Sequence, residues 1–410
     1  MLAPQLLLAF VIAFIVFEYL LEQYLAHLNT RNWSEQIPAE MQGYIDSEKY
    51  LKARQYHLVK EKFGLITATF SLALTLAMLL SGGFGLLDAW VRQHTQNPVA
   101  MALIFFGALY LAFDLLMLPF SVYNTFKIEA QFGFNKTTPR LFIMDKLKGL
   151  LLSAAIGGGL LSLIIFLYHA MGTWFWLIGW GAVTLFTLFF TLFYTTLLVP
   201  IFNKLTPLEP GELRDAISRY AEKINFPLKN IFVIDGSKRS TKSNAYFSGI
   251  GAKKTIVLYD TLVKNHSVEE LVAVLAHEVG HYKKKHIRNS LVLSTLQTGV
   301  LFFIFGKMAG SVTLAHMLGA QEPGFHIGLL AFTLIVNPVS LVLGILMNIY
   351  SRKNEFEADA FAKETHNGGS LKEALKKLSV DNLSNLHPHP AYVFLHYSHP
   401  PLLERLKALG

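Results

Sequence analysis

Seven long apolar runs separated by polar segments set the pattern of this chain, near 4–24, 64–87, 99–122, 149–170, 173–199, 290–313 and 326–350. An α-helix rises 1.5 Å per residue, so about 20 apolar residues cross a hydrocarbon core roughly 30 Å thick. Each run meets that length and predicts a spanning helix. The first has no basic stretch before it and no small-residue cleavage site after Leu21, so it reads as an uncleaved span, not a leader. The fourth and fifth are joined only around Met171 and Gly172 and predict a helical hairpin. Two short segments, 231–234 and 255–259, predict strands with 249–254 as the turn between them. That turn lacks the spacing of a phosphate-binding loop.

Charge orients the spans. Arg31, Lys49, Lys52, Arg54, Lys60 and Lys62 fall in the first loop, and Lys127, Lys136, Arg140, Lys146 and Lys148 in the third. The second holds Arg92, the fourth no cation, and the sixth Lys307 at its edge. Cations gather on the cytoplasmic side of a membrane. The alternation therefore predicts an outside N-terminus and two cytoplasmic polar segments, 203–288 and 351–410. The units expected are 1–202 (five spans and their loops), 203–288 (a cytoplasmic segment), 289–350 (two spans) and 351–410 (a C-terminal cytoplasmic segment). The compartment is the inner membrane of a bacterium or the endoplasmic reticulum of a eukaryote; no retrieval signal occupies Ala408-Leu409-Gly410.

Composition agrees: 52% of the 410 residues are hydrophobic and 16% charged, against about 25% charged in soluble domains. The net charge of +8 is mostly this topological excess, with Lys283, Lys284 and Lys285 adding attraction to membrane lipid. No nucleic-acid-binding motif accompanies it, so nucleic acid is not an expected partner. Glu18, Asp114 and Asn337-Pro338 lie within spans. They predict either a watery interior or polar helix–helix packing. Gly157-Gly158-Gly159 predicts close helix approach.

There is no cysteine, so any metal must be held by His, Asp or Glu. Residues 271–286 read LVAVLAHEVGHYKKKH, and Ser267 with Glu270 predicts a capping box opening a helix that runs to His286. On it His277 and His281 are four apart, so both rings leave one face and can grip one ion. Glu278 beside them can take a proton from water, which is the mechanics of HExxH. A hydrolytic zinc site needs three protein ligands and an open position. The seventh span runs without a breaker into 351–359, where Glu355 and Asp359 again share a face. Glu355 as ligand with Asp359 orienting a histidine completes the set; Glu357 points elsewhere and is the weaker candidate. Spacing alone also fits an acidic helix exit at the membrane surface. The motif lies in a polar segment, not inside a span, which places the site at the membrane edge. His286 is expected near the site, on the same helix. His387, His389, His396 and His399, interleaved with prolines, read as a loop and not as a second metal site.

These residues resemble the type I CaaX prenyl proteases, integral-membrane zinc endopeptidases with seven spans. The resemblance runs through IEAQFGFNK (128–136), PIFNKLTPL (200–208), SNAYFSG (243–249), IVLYDTL (256–262), HEVGHYKKKH (277–286), SRKNEFEADAFA (351–362) and SHPPLLERLKAL (398–409). It implies an all-α membrane protein whose helices enclose a water-filled chamber, capped by a mostly helical metalloprotease domain with a small sheet. It implies one zinc ion, with Glu355 as third ligand and Asp359 its partner. Asn244 and Ala245 would belong to an edge strand that pairs with substrate, and His399 and Arg405 would bind substrate or stabilise the oxyanion.

The expected activity is peptide hydrolysis by metal-activated water, removing the C-terminal tripeptide of a prenylated protein. One alternative is broad quality-control proteolysis of membrane proteins, on substrates that need no prenyl group. A non-catalytic scaffold is the other, and the intact Glu278 argues against it.

Overall fold

The computed structural model describes residues 3–34, 36–228, 230–248 and 255–410. Helix α1 (Pro4–Arg31) opens on a proline, whose fixed φ and missing N–H suit a first turn. Helix α2 (Ser47–Leu80) is capped by Asp46, which accepts from the Lys49 N–H. Its 34 residues reach about 51 Å, well beyond a bilayer, so the cations Lys49 to Lys62 ride on a helical extension instead of a loop. The run read as 64–87 is broken at Gly82, in the left-handed region at φ 66°, and α3 (Gly83–His94) follows as a separate helix.

Helix α4 (Pro98–Tyr123) continues into a π turn, Asn124–Glu129. Helix α5 (Pro139–Leu152), the π turn Ser153–Gly157 and α6 (Gly158–Met171) form one crossing. Gly172, at φ 51°, reverses the chain into α7 (Phe175–Phe193), which packs back along α6 with Tyr168 edge-on to Phe175. A π turn, Tyr194–Leu198, leads to α8 (Val199–Phe202). Six helical stretches among the described residues are long and apolar enough to cross a membrane. The fourth of them, Pro139–Phe202, is the predicted hairpin folded double, so the crossings number seven. The glycine run does not draw helices together. A methyl group at Gly158 would meet only the Leu103 side chain, at 3.6 Å, and one at Gly157 or Gly159 nothing within 4 Å. The run closes a π turn instead.

The polar segment opens with β1 (Leu205–Pro207) and α9 (Glu212–Lys223). It continues with β2 (Asn230–Ile234), β3 (Ala245–Ser248), β4 (Thr255–Tyr259) and α10 (Asp260–Asn265). The sheet runs β1-β2-β4-β3, with β3 at one edge. Both predicted strands are present, but they pair in parallel, Ile231 opposite Ile256. A tight turn cannot join parallel neighbours; β3 intervenes in sequence and lies antiparallel to β4. The stretch 249–254, read as a turn, lies outside the described residues.

Helix α11 (Val268–Lys283) carries the HExxH stretch and stops before His286; Lys285, at φ 64°, separates it from α12 (His286–Met308). The predicted single helix is therefore two. The sixth run also ends early, at Met308, before the short α13 (Val312–Met317). Helix α14 (Phe325–Thr365) runs unbroken through Pro338 for 41 residues and carries Glu355 and Asp359, as the sequence predicts. Helices α15 (Gly368–Asp381), α16 (Pro390–His396) and α17 (Leu402–Ala408) complete the chain.

Packing is concentrated at the two ends. At one, α9, β4, α11 and α15 bury apolar residues such as Ile217, Leu258, Leu271 and Leu275 around α11. Trp33, Tyr50, Phe132 and Leu386 form a neighbouring cluster there. At the other, Val11, Val91, Phe105, Leu318 and Ile327 close the far ends of the spans. Between them each span is only lightly buried. A solid bundle would bury an inward stripe on every helix; these helices are only lightly packed against one another between the two ends. Polar span residues join neighbouring helices: Asn337 donates to Glu18 at 2.7 Å, and Lys146 pairs with Asp114 at 2.5 Å.

Candidate metal centre

Helix α11 begins with the capping box: Ser267 Oγ accepts from the Glu270 N–H, and Glu270 accepts from the Ser267 N–H. Its apolar side fills the core, and its other side meets α14 through Gly280. A methyl group there would stand 3.0 Å from Ala358 Cα and 3.1 Å from its carbonyl oxygen. The glycine between the motif's residues thus lets the two helices approach closely enough for Glu355 to face both histidines.

His277, His281 and Glu355 converge. The facing Nε2 atoms are 3.2 Å apart, His281 Nε2 is 3.2 Å from Glu355 Oε1, and His277 Nε2 is 3.4 Å from Oε2. Zinc–ligand bonds of about 2.0–2.1 Å in a tetrahedron put neighbouring donor atoms about 3.3–3.4 Å apart; the two histidine contacts end on different oxygens of Glu355, and their lengths suit a carboxylate that closes on one such ion. The carboxylate supports the fit: Glu355 Oε2 is buried and accepts no hydrogen bond. Buried carboxylate oxygens are rarely left without a donor, and a cation is the partner this one suits.

The other nitrogen of His277, Nδ1, lies 2.8 Å from Asp359 Oδ1. Arg405 donates to both oxygens of Asp359, at 2.7 and 2.8 Å, and its Nη1 is 3.7 Å from Glu355 Oε2. Burial disfavours the His277 imidazolium, but Asp359 and Glu355 outweigh it and raise its pKa to about 9. For Arg405 burial likewise opposes the charge, and the same carboxylates hold its pKa above the ordinary value. Glu278 lines the pocket beside the triad. Burial pushes its carboxyl up from its ordinary value against the pull of His277 and His281, which suits a group that must accept and return a proton.

A pocket of about 560 Å³ opens over these residues. One wall is the segment Ser243, Asn244 and Ala245, leading into the edge strand β3. Another is apolar, from Leu371, Leu375 and Leu378. His399 stands at the mouth, 64% exposed, with Nε2 3.3 Å from Glu355 Oε1. Sequence reasoning missed Asn382, which accepts from the Ser243 N–H at 3.3 Å and so ties α15 to the strand entrance. No local pattern marks it, because the contact spans 139 positions. His286 does lie at His281, though from the start of α12 and not along α11. The four histidines of the C-terminal region do not gather: His396 pairs with Glu22, His389 caps α16, the His387 N–H bonds Asn385, and His399 reaches Glu355.

A histidine–carboxylate triad beneath a peptide-sized cleft, at one end of a set of membrane-length helices, defines an integral-membrane metallopeptidase. Comparison with known families agrees. Residues 26–204 match the family described as CAAX prenyl protease N-terminal, five membrane helices, and residues 207–410 match Peptidase family M48. The chain belongs to the CAAX prenyl proteases of peptidase family M48. It is 37% identical to CAAX prenyl protease 1 of Saccharomyces cerevisiae, over 97% of this chain and 93% of that one. The human CAAX prenyl protease 1 homolog is 32% identical, over 95% and 92%. The crystal structure of S. mikatae Ste24p superposes with a TM-score of 0.92 at 35% identity, covering 100% of this chain and 99% of the other.

Proposed function

We propose that this chain is a zinc endopeptidase that cleaves near the C-terminus of prenylated CaaX substrates, with His277, His281 and Glu355 as the zinc ligands. The observation that carries this is the convergence of His277, His281 and Glu355 at 3.2–3.4 Å with Glu278 beside them and an edge strand along the cleft. When bound, zinc supplies a Lewis acid that acidifies water and polarises the scissile carbonyl. Glu278 takes the proton from the attacking water and returns it to the leaving amine. The outer edge of β3, with Asn244 and Ala245, aligns the substrate backbone by strand addition. His399 donates to the oxygen that gains negative charge. Arg405 is committed to Asp359 and holds the His277 support in place; this geometry favours an orienting task over direct contact with substrate. The preference for prenylated substrates rests on the resemblance to the CAAX prenyl proteases. The charge alternation supports a cytoplasmic location for the metal end.

The test compares the full chain in detergent with Glu278→Gln, measuring zinc content and cleavage of a quenched CaaX peptide with and without a prenyl group. One zinc in both forms, cleavage only by the parent chain, and dependence on the prenyl group support every part. Cleavage independent of prenylation points to broad membrane proteolysis. Equal cleavage by Glu278→Gln removes Glu278 as the base.

A further inference from the structure

We propose that His286 and Glu357 are positioning residues for the metal centre, holding His281 through a chain of imidazole, imidazole and carboxylate. This rests on the reading of His281 as a metal ligand through Nε2. That nitrogen faces His277 Nε2 and Glu355 Oε1, each 3.2 Å away. The other ring nitrogen, Nδ1, lies 3.1 Å from His286 Nδ1, and His286 Nε2 lies 3.1 Å from Glu357 Oε2.

The protons of this chain have one consistent arrangement. A neutral imidazole that offers one nitrogen to a metal carries its proton on the other, so His281 has Nδ1–H. That N–H donates to His286 Nδ1, which is then a bare acceptor, and His286 carries its own proton on Nε2. The Nε2–H donates to the Glu357 carboxylate. Every link joins a donor to an acceptor, and a doubly protonated His286 would set two N–H groups against each other. Such outer partners fix the ring plane and tautomer of a ligand histidine and raise its basicity.

The backbone is bent to make this contact. In a continuous helix a residue five places after His281 would lie about 140° round the axis, facing elsewhere. Instead α11 stops, and Lys285 adopts the left-handed region at φ 64°, where residues with a side chain are seldom found. The turn returns the first residue of α12 to His281, their rings 5.1 Å apart and steeply inclined at 74°. His286 is 4% exposed, and Glu357 reaches it from α14 two places beyond Glu355. The two histidines are therefore held by different means: His277 directly by a carboxylate anchored on Arg405, His281 through an intervening imidazole.

The experiment measures zinc affinity by chelator competition, and the visible spectrum of the Co²⁺-substituted full chain, for His286→Leu, His286→Gln, Glu357→Leu and His281→Ala. The expected result is zinc binding weakened about 10- to 100-fold in His286→Leu, with a changed cobalt spectrum. His286→Gln, which keeps an acceptor, recovers part of the affinity, and Glu357→Leu moves in the same direction as His286→Leu. Wild-type affinity and spectrum in folded His286→Leu overturn the proposal, as does an equal loss in His286→Leu and His286→Gln. Should His286→Leu fail to fold, an unchanged affinity in Glu357→Leu overturns it alone. Retention of zinc at full affinity by His281→Ala is a different failure, that of His281 as a ligand.

Discussion

Glu278 and His277 stand side by side on α11, and their surroundings give them opposite duties. Glu278→Gln keeps the volume and removes the proposed base, so turnover is expected to fall by about 10²- to 10⁴-fold while zinc content, read by elemental analysis, stays the same. His277 in the metal-free site is held charged up to about pH 9 by Asp359 and Glu355. A ligand imidazole must be neutral, so below that pH zinc competes with a proton, and affinity falls as pH falls. Calorimetric titration near pH 7 in buffers of different ionisation enthalpy should show about one proton released from His277 per zinc bound. A release independent of His277 removal would contradict the assignment. The motif pair and Glu278 were legible in the chain because helical spacing alone brings them together. Arg405 was visible only through family resemblance, and its tie to Asp359 was not, because 46 positions and a different helix separate them.

Among the elements, the meeting of α11 and α14 decides whether a third ligand exists. Gly280→Ala places a methyl group 3.0 Å from Ala358 Cα, and the helices must separate. Overpacking of this kind costs about 1–3 kcal/mol. The expected outcome is a lower Tm together with weaker zinc binding, measured on the same preparation; a lower Tm with unchanged affinity would mean that the gap is absorbed elsewhere. Spans were read correctly in number because length and apolarity suffice for that. Their ends were not. Gly82 and Lys285 break helices through left-handed backbone, and the lysine has no intrinsic preference for it, so only tertiary contact selects the break. The parallel pairing of β2 and β4 was likewise hidden, since strand propensity carries no partner information.

For the whole molecule, two packed ends joined by lightly buried walls imply that stability and catalysis are separable. At the end away from the metal, Asp88 and His326 are almost fully buried and 2.6 Å apart, and Arg92 binds both oxygens of Asp88. Removing one member of a buried charged set costs about 3–5 kcal/mol because the others lose their partner. Asp88→Ala should therefore lower the Tm markedly and leave zinc affinity of the folded fraction unchanged. A parallel loss of affinity would show that the ends are coupled.

Helix α14 ties those ends in a single piece, with Pro338 about a third of the way along it and Glu355 seventeen residues further on. That separation is about 26 Å of helix, and it makes the carboxylate the tip of a lever. One degree of extra bend at the proline sweeps the tip by about 0.4 Å, roughly twice the tolerance of a ligand distance at a metal. A lipid thickness that changes how α14 leans is then expected to change how α14 presses on α11 at Gly280, and with it how well the ion is gripped. Zinc affinity measured across membranes of graded acyl-chain length should pass through an optimum, where the thickness of the hydrocarbon layer and the resting angle of this one helix agree.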